Sequence, residues 1–169
     1  QNDLATNLTA TDCAKGGGPT IINCTAIQRL EYLRGDKDKE DAAAFRVRTH
    51  KGGSPLGDII HSSIVYVGRP ASLWPNTAPF PTATGETYLD FHDNSSNLNR
   101  TPVIYAAGND GMFHGFDAST GKEVLAYVPN LITDTAAQKG LHWLSDPSYT
   151  HLSYVDLTPS FQDAYVYSR

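Results

Sequence analysis

The stretch VIYAAGNDGMFHGFDASTGKEVLAYVP, residues 103–129, decides the fold. It reads as three consecutive antiparallel strands. Residues 103–107 are rich in β-formers and stop at Gly108-Asn109-Asp110-Gly111, where Asn-Asp-Gly supplies the positive φ angles of a tight hairpin turn. Residues 112–117 form the second strand, with Met112, His114 and Phe116 on one face and Phe113 and Gly115 on the other. Ala118-Ser119-Thr120-Gly121 makes the next turn, and Asp117 is placed to accept backbone hydrogen bonds within it, a capping role preferred here to a catalytic one. Residues 123–128 form the third strand, which Pro129 ends because proline cannot donate to a ladder. A meander of short strands with turns this tight is the unit of a β-propeller blade, and one such sheet cannot bury both faces without neighbours.

Outward from this meander, the flanks carry weaker signals. Residues 45–49 (FRVRT) alternate and read as a strand, and residues 58–67 (DIIHSSIVYV) read as a long one ended by Gly68 and Pro70. Residues 71–85 are proline-rich and read as a surface loop, with Trp74 and Phe80 expected to tuck against the sheet. Residues 88–100 (YLDFHDNSSNLNR) read as turns. Their oxygen-bearing side chains make Asp90, Asp93 and Asn94 weak candidates for a metal ion, but the D-x-D-x-D-G spacing of a calcium loop is absent. After the meander, residues 130–145 suggest a short helix or irregular insertion anchored by Trp143. Residues 151–156 and 162–167 then read as strands of a next blade.

Toward the N-terminus, residues 26–33 show a short helical pattern with Ile27, Leu30, Tyr32 and Leu33 apolar, ending at Gly35. Arg34-Gly35-Asp36 spells an integrin-type tripeptide, weighed against a plain turn-bracing role that the shortness of the motif favours. Residues 1–25 are polar and glycine-rich and form an expected loop-rich segment, with residues 26–169 as the partial propeller. That segment holds both cysteines, Cys13 and Cys24. A disulfide closing a small loop is the preferred reading, with free thiols or pairing to another chain as alternatives.

The chain has 169 residues, a net charge of -5, only 18% charged residues and no basic run, which argues against a nucleic-acid surface. No apolar stretch is long enough to span a membrane, and the composition has an exported, loop-rich, all-β look. A blade takes about 40–50 residues and closed propellers have about 4–8 blades. The expected fold is therefore all-β: an incomplete β-propeller of blade-like antiparallel meanders, with long irregular loops and one or two short helices. Its unpaired sheet edges call for a partner.

The stretch YAAGNDGMFHGFDASTGKEV (residues 105–124, the core of the quoted meander) is similar to the repeats of quinoprotein-type propellers. It resembles more closely the C-terminal propeller of the PilC/PilY family, the tip-associated adhesins of bacterial type IV pili. EYLRGDKDKEDAAAFRVRTHKGGSPLGDIIHSSIVYVGRP (31–70) is similar to that family's segment before the blade, and YTHLSYVDLTPSFQDAYV (149–166) to the segment after it, all in the family's order. The resemblance implies a fragment of a larger propeller, exported through the periplasm to the cell surface and sited at a pilus tip. It implies a non-enzymatic adhesion and assembly module that presents loops from a rigid scaffold. The implied partners are the remaining propeller blades, minor pilins, and a host-cell or abiotic surface. The family's calcium loop has a D-x-D-x-D-G-like pattern that this chain lacks, so Ca²⁺ is expected only in the parent protein and no cofactor within this chain.

Sequence motifs for catalysis are missing: no G-x-S-x-G, H-E-x-x-H, C-x-x-C or P-loop occurs. Two alternatives remain beside the adhesin reading. One is a PQQ-dependent dehydrogenase of the quinoprotein type, disfavoured because such enzymes use adjacent cysteines whereas Cys13 and Cys24 are apart. The other is a structural subunit of an extracellular filament.

Overall fold

The computed structural model describes residues 21–38, 40, 45–48 and 54–166, with the side chains of residues 21–25 left out. The expected pairing of Cys13 with Cys24 falls on side chains outside the described residues. The chain divides into two units. One is formed around residues 21–62, 107–113 and 127–157, and the other around 63–106, 114–126 and 158–166.

The first unit begins with helix α1, Ile21–Leu33, so residues 21–25 of the expected loop segment are helical. The helix ends as a Schellman motif: Gly35 N–H donates to the Tyr32 carbonyl and Asp36 N–H to the Glu31 carbonyl, with Gly35 at φ +104°. Its buried face differs from the expected apolar one. Tyr32 and Leu33 are buried, but so are Gln28 and Arg29, while Ile27 and Leu30 are exposed. Arg29 can be buried because its Nε donates to Ser145 Oγ at 2.7 Å and its guanidinium lies near the Phe45 ring. Tyr32, Leu33 and Phe45 pack with Met112, Leu141 and Leu144 into one core, the last two from the buried turn of helix α4 (Gly140–Trp143) and just after it.

Residues 45–48 are not the expected strand. Phe45 makes one isolated bridge to Glu40, and Arg46 N–H donates to the Ser145 carbonyl. The segment is held instead by Arg48. Its Nε contacts Glu40 Oε1 at 2.5 Å, its two other nitrogens donate to the carbonyls of Tyr32 (2.9 Å) and Asp36 (2.7 Å), and its guanidinium lies 3.9 Å from the Tyr32 ring centroid. These bonds engage each of the three nitrogens of the buried guanidinium.

The second unit is built on a four-stranded sheet in the order β1-β2-β3-β4: Val65–Val67, Val103–Ala107, Phe113–Asp117 and Glu123–Tyr127. β1 pairs antiparallel with β2, Tyr66 opposite Ile104. The central meander is thus as the sequence reads, to within a residue at strand ends. His114 and Phe116 share a face, their rings stacked 5.7 Å apart. Asp117 accepts from the N–H groups of Ser119 and Thr120 and from the Ser119 hydroxyl, and Gly121 adopts φ +70°. In the β2–β3 turn only Gly111 has positive φ (+87°); Asn109 and Asp110 do not, contrary to expectation.

Elsewhere the sheet is smaller than expected. The strand expected at 58–67 shrinks to Val65–Val67, because the preceding residues bond outside any ladder. The Asp58 carbonyl accepts from Asn109 N–H, Ser62 Oγ accepts from Ala107 N–H, and Ser63 N–H donates to Thr158 Oγ1. Residues 151–156 and 162–166 form no strand either. Residues 88–100, expected as turns, contain helices α2 (Tyr88–Asp93) and α3 (Ser95–Leu98). Among the described residues, helical positions outnumber strand positions, so the expected one or two helices undercount them.

Truncating Arg48 to alanine leaves Glu40 buried without its cation. Such losses cost about 3–5 kcal/mol. Urea unfolding of Arg48→Ala is expected to show a loss of that order; a loss under about 1 kcal/mol would mean the pair is solvated rather than buried.

Candidate binding site

The second unit carries a hollow of about 510 Å³ between the loop at 71–85, helix α2 and residues 162–165. The loop brings Trp74 and Phe80 together, ring centroids 5.2 Å apart, so these side chains pack on each other and line the hollow rather than only tucking against the sheet. Helix α2 starts because Thr87 and Asp90 form a capping box: Thr87 Oγ1 accepts from Asp90 N–H, and Asp90 Oδ2 accepts from Thr87 N–H. Gly85 N–H and the Thr87 hydroxyl also donate to Asp90. These bonds, the Thr87 hydroxyl foremost, hold the Asp90 carboxyl below the usual aspartate range. One helical turn places Tyr88 beside Phe91, centroids 5.7 Å apart. The Tyr88 hydroxyl donates to Asp163 Oδ2 at 2.7 Å, and burial together with that bond raises its pKa. A second, smaller hollow of about 230 Å³ shares Gln162 and Asp163 and is lined by Arg69 and Arg100.

The three weak metal candidates serve helix ends and neighbours in this structure. Asp90 is the capping-box carboxylate, Asp93 lies 2.7 Å from His92 Nδ1, and Asn94 caps α3 by accepting from Ser96 N–H. Among the described residues no three His, Cys, Asp or Glu side chains come together as a metal cluster. Arg34-Gly35-Asp36 forms the C-terminal cap of α1, and Asp36 Oδ1 accepts from Asp38 N–H. The aromatic hollow is the feature that sequence reasoning missed. Its available signal was Thr87-x-x-Asp90, which announces a helix start.

The first unit holds a polar knot around the β2–β3 turn. Asn109 is 3% exposed; its amide nitrogen donates to Asp58 Oδ2 and its amide oxygen accepts from Tyr154 N–H. Asp110 Oδ2 accepts from Gly57 N–H at 2.7 Å, and a Cβ on Gly57 would lie 2.3 Å from the Asp110 nitrogen, so the approach requires glycine. His151 Nε2 lies 2.9 Å from Asp58 Oδ2, and His61 Nδ1 lies 2.7 Å from Asp156 Oδ2. Sequence reasoning treated Asn109 and Asp110 only as turn formers.

A four-stranded antiparallel meander of short strands is the form of a β-propeller blade. The sequence model of the PilY1 beta-propeller domain matches residues 56–166, and the chain belongs to that family. It is 38% identical over 151 residues to a type IV pilus biogenesis factor PilY1 homolog of Xylella fastidiosa (strain Temecula1), covering 89% of this chain and 12% of that protein. It is 36% identical over 141 residues to the type IV pilus biogenesis factor PilY1 of Pseudomonas aeruginosa (strain PAK), covering 81% of this chain and 11% of that protein. The chain thus spans about a tenth of the length of these relatives. No solved structure matches it. No described helix is long and apolar enough to cross a membrane.

Burial works against ionisation of Asp58, but hydrogen bonds from Asn109 and His151 outweigh it and hold its carboxyl below the usual range; the His61 bond does the same for Asp156. Carboxyls depressed on folding stabilise the native state above their unfolded pKa, and that contribution is lost as pH falls through the folded value. Stability is therefore expected to hold from neutral pH down to about pH 4 on account of these groups and to fall below it. Denaturant unfolding at a series of pH values checks this, with Asp58→Asn predicted to show a shallower acid limb than the parent sequence.

Proposed function

We propose that this chain is a blade-bearing piece of a larger propeller in a type IV pilus biogenesis factor, acting as a non-enzymatic adhesion and assembly module. The observation that carries the reading is the family match across 56–166, the span that contains the meander. Its relatives are named as pilus biogenesis factors, which supports a place at the cell surface on the pilus. The partners in this reading are the remaining blades of the parent protein, minor pilins at the pilus tip, and a host-cell or abiotic surface. Calcium, if the parent uses it, binds outside this chain.

The sheet supports a role that needs neighbours. All five residues of β4 are exposed, Val124 and Tyr127 each at 56%, and Tyr66 on β1 is exposed as well. Apolar side chains left open along a terminal strand are what an adjoining blade covers, and uncovered they invite aggregation.

Val124→Lys separates this role from simple folding. In the 169-residue chain, where Val124 is exposed, the substitution is expected to change stability by less than about 0.5 kcal/mol. In the full-length protein of the encoding bacterium it is expected to reduce surface piliation and attachment. Normal piliation with normal protein levels would remove β4 as a blade contact. Deleting residues 56–166 without loss of pili or attachment would overturn the functional reading itself.

A further inference from the structure

The wall of the larger hollow has an unusual chemistry. Five aromatic side chains line it, from Trp74, Phe80, Tyr88, Phe91 and Tyr165. Its ionisable lining beyond tyrosine is acidic throughout: Glu86, Asp90 and Asp163, with no Lys, Arg or His among the lining residues. Trp74 and Phe91 keep 38% of their surface exposed and Tyr165 keeps 47%, so the rings remain available to a ligand.

We propose that this hollow binds an organic cation, an alkylammonium group received between the aromatic faces and the carboxylates. The quadrupole of each ring presents negative charge on its face, and an ammonium centre within about 6 Å of a ring centroid is attracted to it. The carboxylates add full negative charge from the same wall. An anion would meet three like charges. A neutral apolar ligand would strip water from carboxylates that it could not pair, which is unfavourable. Only a cation satisfies both kinds of wall. Asp163 is fixed by the Tyr88 hydroxyl and Asp90 by the capping box, so two of the three charges stand in place before any ligand arrives. The volume lies within the usual range of small-ligand pockets, about 300–1,000 Å³. The amides of Asn94, Asn97 and Gln162 on the same wall offer hydrogen bonds to polar groups carried beside the cation. The proposal rests on the chemistry of this wall and not on the pilus reading.

The test is calorimetric titration of the 169-residue chain at low ionic strength with choline, with N-acetyl-lysine amide, and with glucose as a neutral probe. Saturable binding of choline or of the lysine amide, with glucose inert, is the expected result. The ratio of the two reports whether the hollow prefers a methylated nitrogen or one that donates hydrogen bonds. Glu86 is exposed and its side chain makes no described bond, so Glu86→Gln leaves the fold intact; it is expected to weaken binding several-fold. Trp74→Ala is expected to weaken it about tenfold and Trp74→Phe to restore most of it, the flanking rings being unchanged. Trp74 is one of two tryptophans, so the part of the fluorescence change on titration that Trp74→Phe abolishes reports occupancy. Absence of saturation by both cations up to about 50 mM overturns the proposal, a limit far weaker than millimolar affinity. So does glucose binding as tightly as choline, or cation binding that Glu86→Gln and Trp74→Ala both leave unchanged.

Discussion

The buried side-chain amide of Asn109 is the constraint on which the first unit depends. It sits at the tip of a local hairpin, yet its two ends bond to Asp58, 51 residues earlier, and to Tyr154, 45 residues later. An amide that is 3% exposed must have partners for both its donor and its acceptor, since an unsatisfied buried polar group costs about 1–3 kcal/mol. Its partners are backbone or carboxylate groups of segments that have no ladder of their own. The hairpin tip therefore ties together two irregular stretches, one around Asp58 and one around Tyr154. The close approach of Gly57 to Asp110 follows from the same requirement, for the backbone must come near enough to donate to that carboxylate.

Reliance on polar partners extends into the core beneath. Helix α1 buries Gln28 and Arg29 beside Tyr32 and Leu33, and the segment at 45–48 is fixed by the Arg48 fork together with the buried Phe45 ring. Guanidinium groups suit this position. They are planar, they donate in several directions at once, and they stack on rings: Arg48 on Tyr32 and Arg46 on Tyr149. The corollary is that much apolar surface stays outside. Leu73, Leu131 and Leu157 are at least 80% exposed, and β4 buries none of its residues. The three leucines stand singly, as exposed apolar residues often do, whereas the exposed residues of β4 are neighbours along one strand.

What could be read from the sequence follows from range. The strands Val103–Ala107, Phe113–Asp117 and Glu123–Tyr127 and the positions of both their turns were legible, because period-two alternation and turn chemistry act between residues a few positions apart. The stretches at 45–49, 58–67, 151–156 and 162–167 contain equally good β-formers. A strand, however, exists only where a ladder partner lies alongside, and several N–H groups in these stretches are taken elsewhere: Arg46 by the Ser145 carbonyl, Ser63 by Thr158 Oγ1 and Tyr154 by Asn109 Oδ1. Residues 88–100 failed for a different reason. Thr, Asp, Asn and Ser favour turns because they bond to nearby backbone, and the same property makes them helix caps. Thr87, Asp90 and Asn94 act as caps here. Ile27 and Leu30 suggested the wrong buried face for α1, since the neighbouring Arg29 could be satisfied inside and they were left in water.

The hollow was illegible for a reason of range as well. Trp74, Tyr88 and Asp163 are ordinary residues in three unremarkable segments, and only folding turns them into one wall. Its placement nevertheless follows from the local chemistry. A proline-rich loop cannot join the sheet, so its two large aromatics must find cover, and they find it in each other. The capping box begins α2 at Thr87, which sets Tyr88 against Phe91 and aims the Tyr88 hydroxyl at Asp163. Two aromatic pairs and an anchored carboxylate then bound a space that no side chain of these segments fills. A regular meander has too few positions to make such a space, because alternate side chains of a strand leave the sheet in opposite directions. The irregular loop and the short helices, which depart most from the blade pattern, are what give this unit a place to bind.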